Sequence, residues 1–252
     1  MRELLLIGIG TGNPDHITRQ GEQAIRKADL ILIPRKGQNK SDLAHIREDI
    51  IANAVQSDMP RLAWFDMPVR RSEDGYLQGV NEWHDAIALA WQSAIAAVNP
   101  APENVALLIW GDPSLYDSSL RIFARLCPKP ALRVVPGITA LQALTAAHAI
   151  PVNDIGAPFT VTTGRQLREG GWPEGAGTIA VMLDGDCAFQ TLEEHKFQIW
   201  WGAYLGMAEE QLISGPLADV GNLIRTTRRD ARAEHGWIMD IYLLKKLDTA
   251  LP

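Results

Sequence analysis

The stretch LLLIGIGTGNPDHIT, residues 4–18, decides the fold class of this 252-residue chain. Its apolar start leads directly into glycines at the alternating positions Gly8, Gly10 and Gly12. Thr18 then stands where a helix N-cap is expected. A buried strand that ends in a glycine-rich turn before a helix is typical of α/β domains that bind nucleotides. The first question is therefore whether this turn binds the phosphates of a nucleotide.

The glycine spacing argues against a dinucleotide site. The pattern G-x-G-x-x-G requires a third glycine, which allows close packing of the helix. Counted from Gly8, that position holds Asn13; counted from Gly10, it holds Asp15. The acidic residue expected after the second strand is also absent, because DLILIP continues with Arg35. No Gly-Lys-Ser or Gly-Lys-Thr of a Walker loop is present. The turn alone is equally consistent with an ordinary strand-to-helix connection.

The composition is that of a globular protein with an acidic balance. Apolar residues make up 46% and charged residues 21%, and the formal net charge is −6. This charge disfavours general binding of nucleic acid. No apolar run approaches the roughly 20 residues of a membrane span. Cys127 and Cys187 are far apart without companion ligands, which predicts reduced core thiols, no metal site and a cytoplasmic enzyme.

The order of elements predicts two domains. ELLLIGIG, DLILIP and VALLIWGD have the pattern of buried strands, and helical segments separate them, which indicates a mostly parallel sheet. From about residue 158 the segments are strand-like, with hairpin or loop signals between several of them. We therefore predict an α/β fold with an N-terminal domain of mostly parallel sheet over residues 1–117. A C-terminal domain of mixed α+β structure is predicted over residues 118–252.

Two later stretches resemble the opening turn in their punctuation. WGDPSLY (110–116) ends a strand with Gly-Asp-Pro, and VVPGITALQAL (134–144) ends one with Pro-Gly. Ligands of parallel α/β sheets lie beyond the carboxyl ends of the strands, and glycine allows a ligand to approach the main chain. Three such turns together predict a binding site at that edge.

These three stretches, in this order, resemble the tetrapyrrole methylase family of S-adenosylmethionine-dependent enzymes. IAVML (179–183) and EEQLISGPL (209–217) are similar to weaker motifs of that family. Thr11 and Asn13 depart from it, since the family usually has Pro and Asp there, so no role for that acid is carried over. The resemblance implies a tetrapyrrole methylase-like fold of two domains, with the active site in the cleft between them, in a homodimer. It also implies that the opening turn faces the tetrapyrrole.

The resemblance further implies which residues bind the cofactor, S-adenosyl-L-methionine, and its product S-adenosyl-L-homocysteine. They are Gly111, Asp112, Thr139, Ala140, Met182, Leu183, Leu205, Gly236 and Trp237. The residues expected to bind substrate in the opening turn are Gly10, Thr11, Gly12 and Asn13. Met182 and Leu183 are equally consistent with plain core positions on periodicity alone.

The variant turn GTGNPDHIT, together with FDMPVRR (65–71), is similar to one branch of the family, from aerobic cobalamin biosynthesis. The reaction implied is conversion of precorrin-5 to precorrin-6A, with methylation of ring carbon 1 and release of the acetyl group as acetate. Deacetylation needs a group that orients water and donors for the oxyanion. Asp15 or His16 is the candidate for the water, and the N–H groups from Gly10 to Asn13 are the candidates for the oxyanion. Alternatively, Asp15 caps the following helix and His16 is a packing residue.

Precorrins carry many carboxylates, so an acidic protein needs local arginines to bind them. Arg35 and Arg70 are the preferred pair, and Tyr116 either reaches the substrate or packs between domains. Other readings remain open: methylation of another precorrin carbon, methylation of RNA, a nicotinamide-dependent dehydrogenase, or a non-catalytic protein that binds a tetrapyrrole. The acidic balance disfavours RNA, and the glycine spacing disfavours the dehydrogenase.

Overall fold

The computed structural model describes residues 1–35, 42–55, 59–70 and 76–247. The chain divides into two compact units, Met1–Thr139 and Ala140–Pro252. This division lies beyond the boundary at residue 117 that the sequence suggested. The physical reason is that the strand Ala131–Val135 pairs with the first strand of the chain and so belongs to the first sheet.

The first unit is built on a parallel sheet, as predicted, and this sheet has five strands. The strands are β1 (Glu3–Gly8), β2 (Leu30–Arg35), β3 (Arg61–Asp66), β4 (Asn104–Ile109) and β5 (Ala131–Val135). Their order is β3-β2-β4-β1-β5, and every pairing is parallel. The strand β3 was not predicted, because most of RLAWFD is only half-buried and lacks a clear period.

Helices cover both faces of this sheet. They are α1 (Arg19–Arg26), α2 (Asp42–Ala54), α3 (Tyr76–Ala96) and α4 (Ser119–Phe123). Odd-numbered residues of β1, such as Ile7, pack with Ile25 of α1 and Ile50 of α2. Even-numbered residues, such as Leu6, pack with Trp91 of α3. This alternation follows from the period of two along a strand. Thr18 caps α1 as predicted, since its hydroxyl accepts a hydrogen bond from the Gly21 N–H at 3.0 Å.

The second unit contains a mixed sheet, also as predicted. Its strands are β6 (Thr160–Thr163), β7 (Thr178–Met182), β8 (Phe197–Ala203), β9 (Gln211–Pro216) and β10 (Asp240–Lys246). Their order is β6-β7-β10-β8-β9, in which β6 and β7 are parallel and the other pairs antiparallel. The helices are α5 (Ala140–Ala147), α6 (Gly164–Gly170) and α7 (Leu217–His235).

The helix α7 was not predicted. It buries Leu217, Ile224 and Ala231, which are spaced seven residues apart along one face, and it ends at Gly236 with a φ of 78°. Four of its residues are arginine, and only Arg228 among them is buried. The sparse apolar positions hid the helical period.

The side-chain predictions for cysteine and tryptophan have mixed outcomes. Cys187 is buried, as predicted. The prediction of a core thiol is wrong for Cys127, which is exposed because it lies in the connection between α4 and β5. Trp200 and Trp201 lie on opposite faces of β8; Trp201 is fully buried and Trp200 half-buried. Burial raises the pKa of the Cys187 thiol to about 11.

Candidate functional site

The carboxyl ends of three neighbouring strands meet in the first unit. β4, β1 and β5 are adjacent in the sheet, and each leads into one of the three glycine turns that the sequence singled out. Gly10 and Gly111 form an isolated antiparallel bridge. The Gly111 N–H donates to the Gly10 carbonyl at 2.7 Å, and the Gly10 N–H donates to the Gly111 carbonyl at 3.3 Å. The opening turn and the Gly-Asp-Pro turn are therefore in direct contact.

The main chain of the third turn packs closely against the main chain of both other turns. A Cβ on Gly8 would lie 2.6 Å from the Gly137 nitrogen and 2.8 Å from the Gly111 carbonyl oxygen. A Cβ on Gly137 would lie 2.7 Å from the Gly8 carbonyl carbon. No side chain fits at either position. The three glycines thus form a close backbone cluster, which we call the glycine junction: Gly8, Gly111 and Gly137.

The Asp112 carboxylate ties the second turn to the third. It accepts hydrogen bonds from the Gly137 N–H at 2.9 Å and from the Ser114 N–H at 2.8 Å, and also from the Ser114 hydroxyl. Partial burial alone would raise the pKa of Asp112. The bonds from the Ser114 hydroxyl and the two N–H groups outweigh it and hold that pKa below its ordinary value. Asp112 therefore stays ionised and fixes the shape of the turn.

The opening turn is ordered by its own polar side chains. Asn13 caps a short 3-10 helix at Pro14–His16, and its side-chain oxygen accepts from the Asp15 N–H at 2.9 Å. The alternative in which Asp15 caps a helix is therefore wrong, because Asn13 and Thr18 occupy the two cap positions. Asp15 is exposed. His16 is half-buried, packs over Gly10, and its Nδ1 lies 3.1 Å from the buried Thr11 hydroxyl.

The predicted substrate residues of the first unit lie at the same edge or near it. Arg35 ends β2, and its guanidinium lies 5.3 Å from the centre of the Trp64 ring. Arg70 is exposed, whereas its neighbour Arg71 lies outside the described residues. Tyr116 is 43% exposed and has a φ of 50°. A positive φ in a non-glycine residue is strained, which is a property that turns at binding sites often share.

In the second unit, the predicted residues Met182 and Leu183 lie at the end of β7. Met182 is half-buried against the core, and Leu183 is 66% exposed with a φ of 52°. The next residue, Asp184, is buried and holds this turn in place. Its carboxylate accepts hydrogen bonds from the Tyr242 hydroxyl at 2.7 Å and the Arg168 guanidinium at 3.0 Å, and from the N–H of Ala188.

Arg228 extends this network beneath the turn. Its Nε donates to the Asp240 carboxylate at 2.9 Å, and its Nη2 donates to the Asp184 carbonyl at 2.9 Å. The Trp201 indole also donates to Asp240, at 3.0 Å. Burial raises the pKa of Tyr242 well above its ordinary value, and the nearby Asp184 charge adds to this, so the phenol stays a donor. We call this set the buried ionic network: Asp184, Trp201, Arg228, Asp240 and Tyr242.

The remaining predicted cofactor residues differ in their surroundings. Thr139 and Ala140 are half-buried where α5 begins. Leu205 is buried in a core cluster of the second unit. Gly236 ends α7, and Trp237 is 45% exposed. The structure thus leaves Leu183 and Trp237 accessible, whereas it places Leu205 in the core.

Sequence reasoning missed the buried ionic network because its members are distant in sequence. It also missed Arg47 of α2, whose guanidinium lies 5.8 Å from the centre of the Trp110 ring beside the Gly-Asp-Pro turn. The sequence signal that could have indicated Arg47 is its position in α2, where it is the one arginine and directly follows the apolar Ile46. For Asp184 it was an acid directly after an apolar strand.

Metal and membrane features are absent from the part of the chain that the structure describes. No group of three or more His, Cys, Asp or Glu side chains there is arranged to hold a metal ion. No helix among those residues has the length and apolar character required to cross a membrane.

Comparison with known sequences finds relatives along nearly the whole chain. The family model of the tetrapyrrole (corrin/porphyrin) methylases matches residues 3–221. A Sinorhizobium protein named precorrin-6A synthase (deacetylating) is 47% identical over 251 residues, which cover 98% of this chain and 96% of that protein.

Comparison with solved structures gives the same picture. The crystal structure of a protein related to cobalamin synthesis (CobF) from Corynebacterium diphtheriae matches with a TM-score of 0.82 and 36% identity, covering 98% of this chain and 100% of that one. Uroporphyrin-III C-methyltransferase from Thermus thermophilus, complexed with S-adenyl homocysteine, matches with a TM-score of 0.58 over 96% of this chain and 97% of its own. Because the two sequences are only 16% identical, this second match shows a shared fold and nothing more.

Proposed function

The chain belongs to the tetrapyrrole (corrin/porphyrin) methylase family, and we propose on that premise that it converts precorrin-5 to precorrin-6A. In this reaction S-adenosylmethionine methylates ring carbon 1, and the acetyl group leaves as acetate. The observation that carries the proposal is the 47% identity to a precorrin-6A synthase (deacetylating) over 98% of the chain. The family and the fold fit the same activity.

The turns of the first unit fit the amino-acid end of the cofactor. A Cβ on Gly111 would meet only the Thr139 Cα, at 3.8 Å, so the main chain there is open to a ligand. When bound, the cofactor supplies an electrophilic methyl group on a sulfonium. Because methyl transfer depends mainly on alignment, the task of Gly111 and Thr139 is to hold the ligand still. Asp112, whose carboxylate bonds within its own turns, acts chiefly by shaping that surface.

In the second unit, Leu183 and Trp237 are the accessible apolar residues proposed to cover the cofactor, together with Met182, which precedes Leu183 at the end of β7. Gly236 allows the chain to turn before Trp237. Ala140 is proposed to contact the cofactor directly. Leu205 is buried in the core and supports the surface from below.

The opening turn is proposed to face the macrocycle and to supply the hydrolytic groups. The Gly10 N–H already donates to Gly111, so the proposed oxyanion donors are the N–H groups of Thr11, Gly12 and Asn13. Asp15 is the better candidate for orienting water, because it is exposed, whereas the His16 ring lies against Thr11. Arg35, Arg70 and Tyr116 are proposed to contact substrate.

Mass spectrometry of the product tests the reaction. Incubation with precorrin-5 and methyl-labelled S-adenosylmethionine is expected to give a product with one labelled methyl group and without the acetyl group, and one acetate per turnover. A methylated product that retains the acetyl group would instead indicate a sister precorrin methyltransferase. Absence of any labelled product would contradict the proposal and leave a tetrapyrrole-binding protein.

Titration with S-adenosylhomocysteine and NAD tests the cofactor class independently. We expect saturable binding of S-adenosylhomocysteine and none of NAD; the reverse result would favour a dehydrogenase. We also propose that the protein is a cytoplasmic homodimer that requires no metal. Sedimentation equilibrium of the full chain would test the dimer, and activity after exhaustive chelation would test the absence of a metal.

A further inference from the structure

Thr11 in the opening turn has a hydroxyl that must find its hydrogen-bond partner inside the protein. The residue is only 4% exposed. Among the described residues, the partner of this hydroxyl is Nδ1 of His16, at 3.1 Å. A buried hydroxyl whose hydrogen has no acceptor costs free energy, because that hydrogen has given up its bond to water. The hydroxyl hydrogen is therefore assigned to this bond, with Nδ1 as its acceptor.

The tautomer of His16 follows from that bond. A neutral imidazole carries one hydrogen, so a ring that accepts at Nδ1 carries it on Nε2. A protonated ring carries hydrogens on both nitrogens, so Nε2 is a donor in either charge state. A general base needs a free lone pair, and Nε2 has none in either state. His16 is thus a hydrogen-bond donor, which agrees with the choice of Asp15 for orienting the water.

The main chain beneath His16 also fixes its position. Gly10 has a φ of 77°, and a Cβ there would lie 2.6 Å from the His16 Cβ. His16 ends the short 3-10 helix that Asn13 caps. Since Gly10 forms a bridge with Gly111 of the glycine junction, His16 is held at the carboxyl edge of the first sheet.

The second ring nitrogen of His16 is accessible to a ligand. No hydrogen bond joins Nε2 to any residue that the structure describes, although His16 is half-buried. Nε2 is also open to solvent, because the buried unpaired side-chain nitrogens of the described residues are Nε2 of His84 and Nε1 of Trp91. An N–H on a ring that is fixed in place and open at the site edge is suited to stabilise an oxyanion.

We propose that His16 Nε2–H donates a hydrogen bond to the acetyl carbonyl oxygen of the substrate, and that Thr11 is the positioning residue for His16. This inference rests on the proposed function, because precorrin-5 supplies the acetyl group. His16 then adds a side-chain donor to the main-chain N–H groups of Thr11, Gly12 and Asn13. Thr11 contributes twice, through its N–H and through the hydroxyl that fixes the imidazole tautomer.

The hydrolytic step uses only water and groups of this turn. The water oxygen forms a bond to the acetyl carbon, one water hydrogen passes to the Asp15 carboxylate, and the π electron pair of the carbonyl moves to its oxygen. His16 Nε2–H donates to this oxyanion and keeps its hydrogen. When the carbonyl re-forms, the carbon–carbon bond breaks and its electron pair passes to ring carbon 1, where the macrocycle delocalises it. Acetic acid leaves and ionises to acetate.

Two substitutions of His16 separate the loss of the donor from the loss of the ring. Gln places an amide NH2 group near the position of Nε2, whereas Asn places one near that of Nδ1. We expect His16→Asn to lower kcat for acetate release about 100-fold, as for loss of an oxyanion donor, and His16→Gln to retain about ten times that rate. KM for precorrin-5 and the affinity for S-adenosylhomocysteine should match the wild type. Equal rates in the two variants, or a wild-type rate in His16→Asn, would overturn the donor role.

Thr11→Val and Thr11→Ser test the positioning role. Val has a similar shape but no hydroxyl, so we expect kcat for acetate release to fall about tenfold, as for loss of one hydrogen bond. Ser keeps the hydroxyl and should restore a rate close to that of the wild type. Equal losses in the two variants would mean that Thr11 contributes packing alone, which overturns its positioning role.

His148→Asn is the matched control. His148 is also half-buried, and its Nε2 lies 3.0 Å from the Trp201 carbonyl oxygen in the second unit. This variant should lower stability without changing kcat. A loss of kcat equal to that of His16→Asn would show that the effect is not specific to His16 and would overturn the assignment.

Nitrogen-15 NMR of the histidine rings distinguishes failure of this inference from failure of the proposed function. Spectra of the wild-type protein without substrate are expected to place the ring hydrogen of His16 on Nε2, with His16→Gln identifying the signal. Hydrogen on Nδ1 alone overturns the inference, whatever reaction the protein catalyses. Hydrogen on Nε2, in wild-type protein that releases no acetate from precorrin-5, supports the donor assignment and contradicts the proposed function.

Discussion

The glycine junction of the first unit and the buried ionic network of the second solve the same problem by different means. Each holds an irregular turn at the end of a strand in one shape. In the first unit, main chain packs directly on main chain, and a Cβ on Gly8 would lie 2.6 Å from Gly137. In the second, the Leu183 turn keeps a side chain at a φ of 52° and is fixed by Asp184 and Arg228 below it.

The difference teaches where each turn is vulnerable. A turn held by backbone contact tolerates no added atom, and the Asp112 carboxylate that supports it is only half-buried. A turn held by buried charges tolerates small changes in volume, yet it fails when one charge loses its partner. Substitutions at Gly137, Arg228, Asp112 and Leu183 test this contrast, and the expected loss of stability decreases in that order.

Gly137→Ala is expected to have the largest effect. Its Cβ would overlap main-chain atoms of Gly8 and Gly111, which cannot move without displacing the ends of β1 and β4. We expect a loss of about 4 kcal/mol or more in the free energy of unfolding, measured by urea denaturation, or no soluble folded protein. Gly177→Ala is the control, since a Cβ there meets nothing within 4 Å. A folded Gly137→Ala protein of wild-type stability would contradict the backbone-contact account.

Arg228→Leu is expected to be next. It leaves the buried Asp184 carbonyl without its Arg228 donor and the Asp240 carboxylate without its cationic partner, with only the Trp201 bond of the network remaining on Asp240, at an expected loss of about 3 kcal/mol. Arg229→Leu removes the adjacent arginine, whose partner Asp230 is exposed, and should leave the stability close to that of the wild type. Thermal denaturation of the two variants measures the contrast. Equal effects would show that the network does not hold the turn.

The same contrast explains what the sequence predicted. Glycine turns are local, so GIGTG, GDP and VPG were readable as three signals, and the parallel order of strands brought them to one edge. The buried ionic network joins residues from 184 to 242, and nothing local marks Arg228 as the buried one among the four arginines of α7.

Asp112→Asn is expected to have an intermediate effect that depends on pH. The folded pKa of Asp112 is below its unfolded value, so its stabilisation is fully present above the unfolded pKa of about 3.9 and is lost as pH falls through the folded pKa. We expect Asp112→Asn to lose about 1–2 kcal/mol at pH 7, with the difference from wild type shrinking below pH 4. Urea denaturation across pH measures this; a constant difference would contradict it.

A matched carboxylate shows whether Asp112 also matters to the cofactor. Asp29 accepts from the N–H groups of Glu103 and Asn104 at the opposite edge of the sheet. Asp29→Asn should therefore lower stability and leave the affinity for S-adenosylhomocysteine unchanged, whereas Asp112→Asn should weaken it. Equal affinities in the two variants would remove Asp112 from the cofactor site.

Leu183→Gly is expected to change stability least and to sharpen the comparison most. Glycine removes the strain of the positive φ, which stabilises the folded state by about 1 kcal/mol. It also increases the chain entropy of the unfolded state, which costs about as much. The net change in the free energy of unfolding should therefore be within about 0.5 kcal/mol. Because the Leu183 side chain is exposed, it is accessible to the ligand. Its removal should weaken S-adenosylhomocysteine binding. Leu183→Ala removes the same contact while keeping the strain. Calorimetric titration should therefore show similar losses of affinity in both variants. Wild-type affinity in both would mean that the ionic network fixes this turn for a reason other than the cofactor.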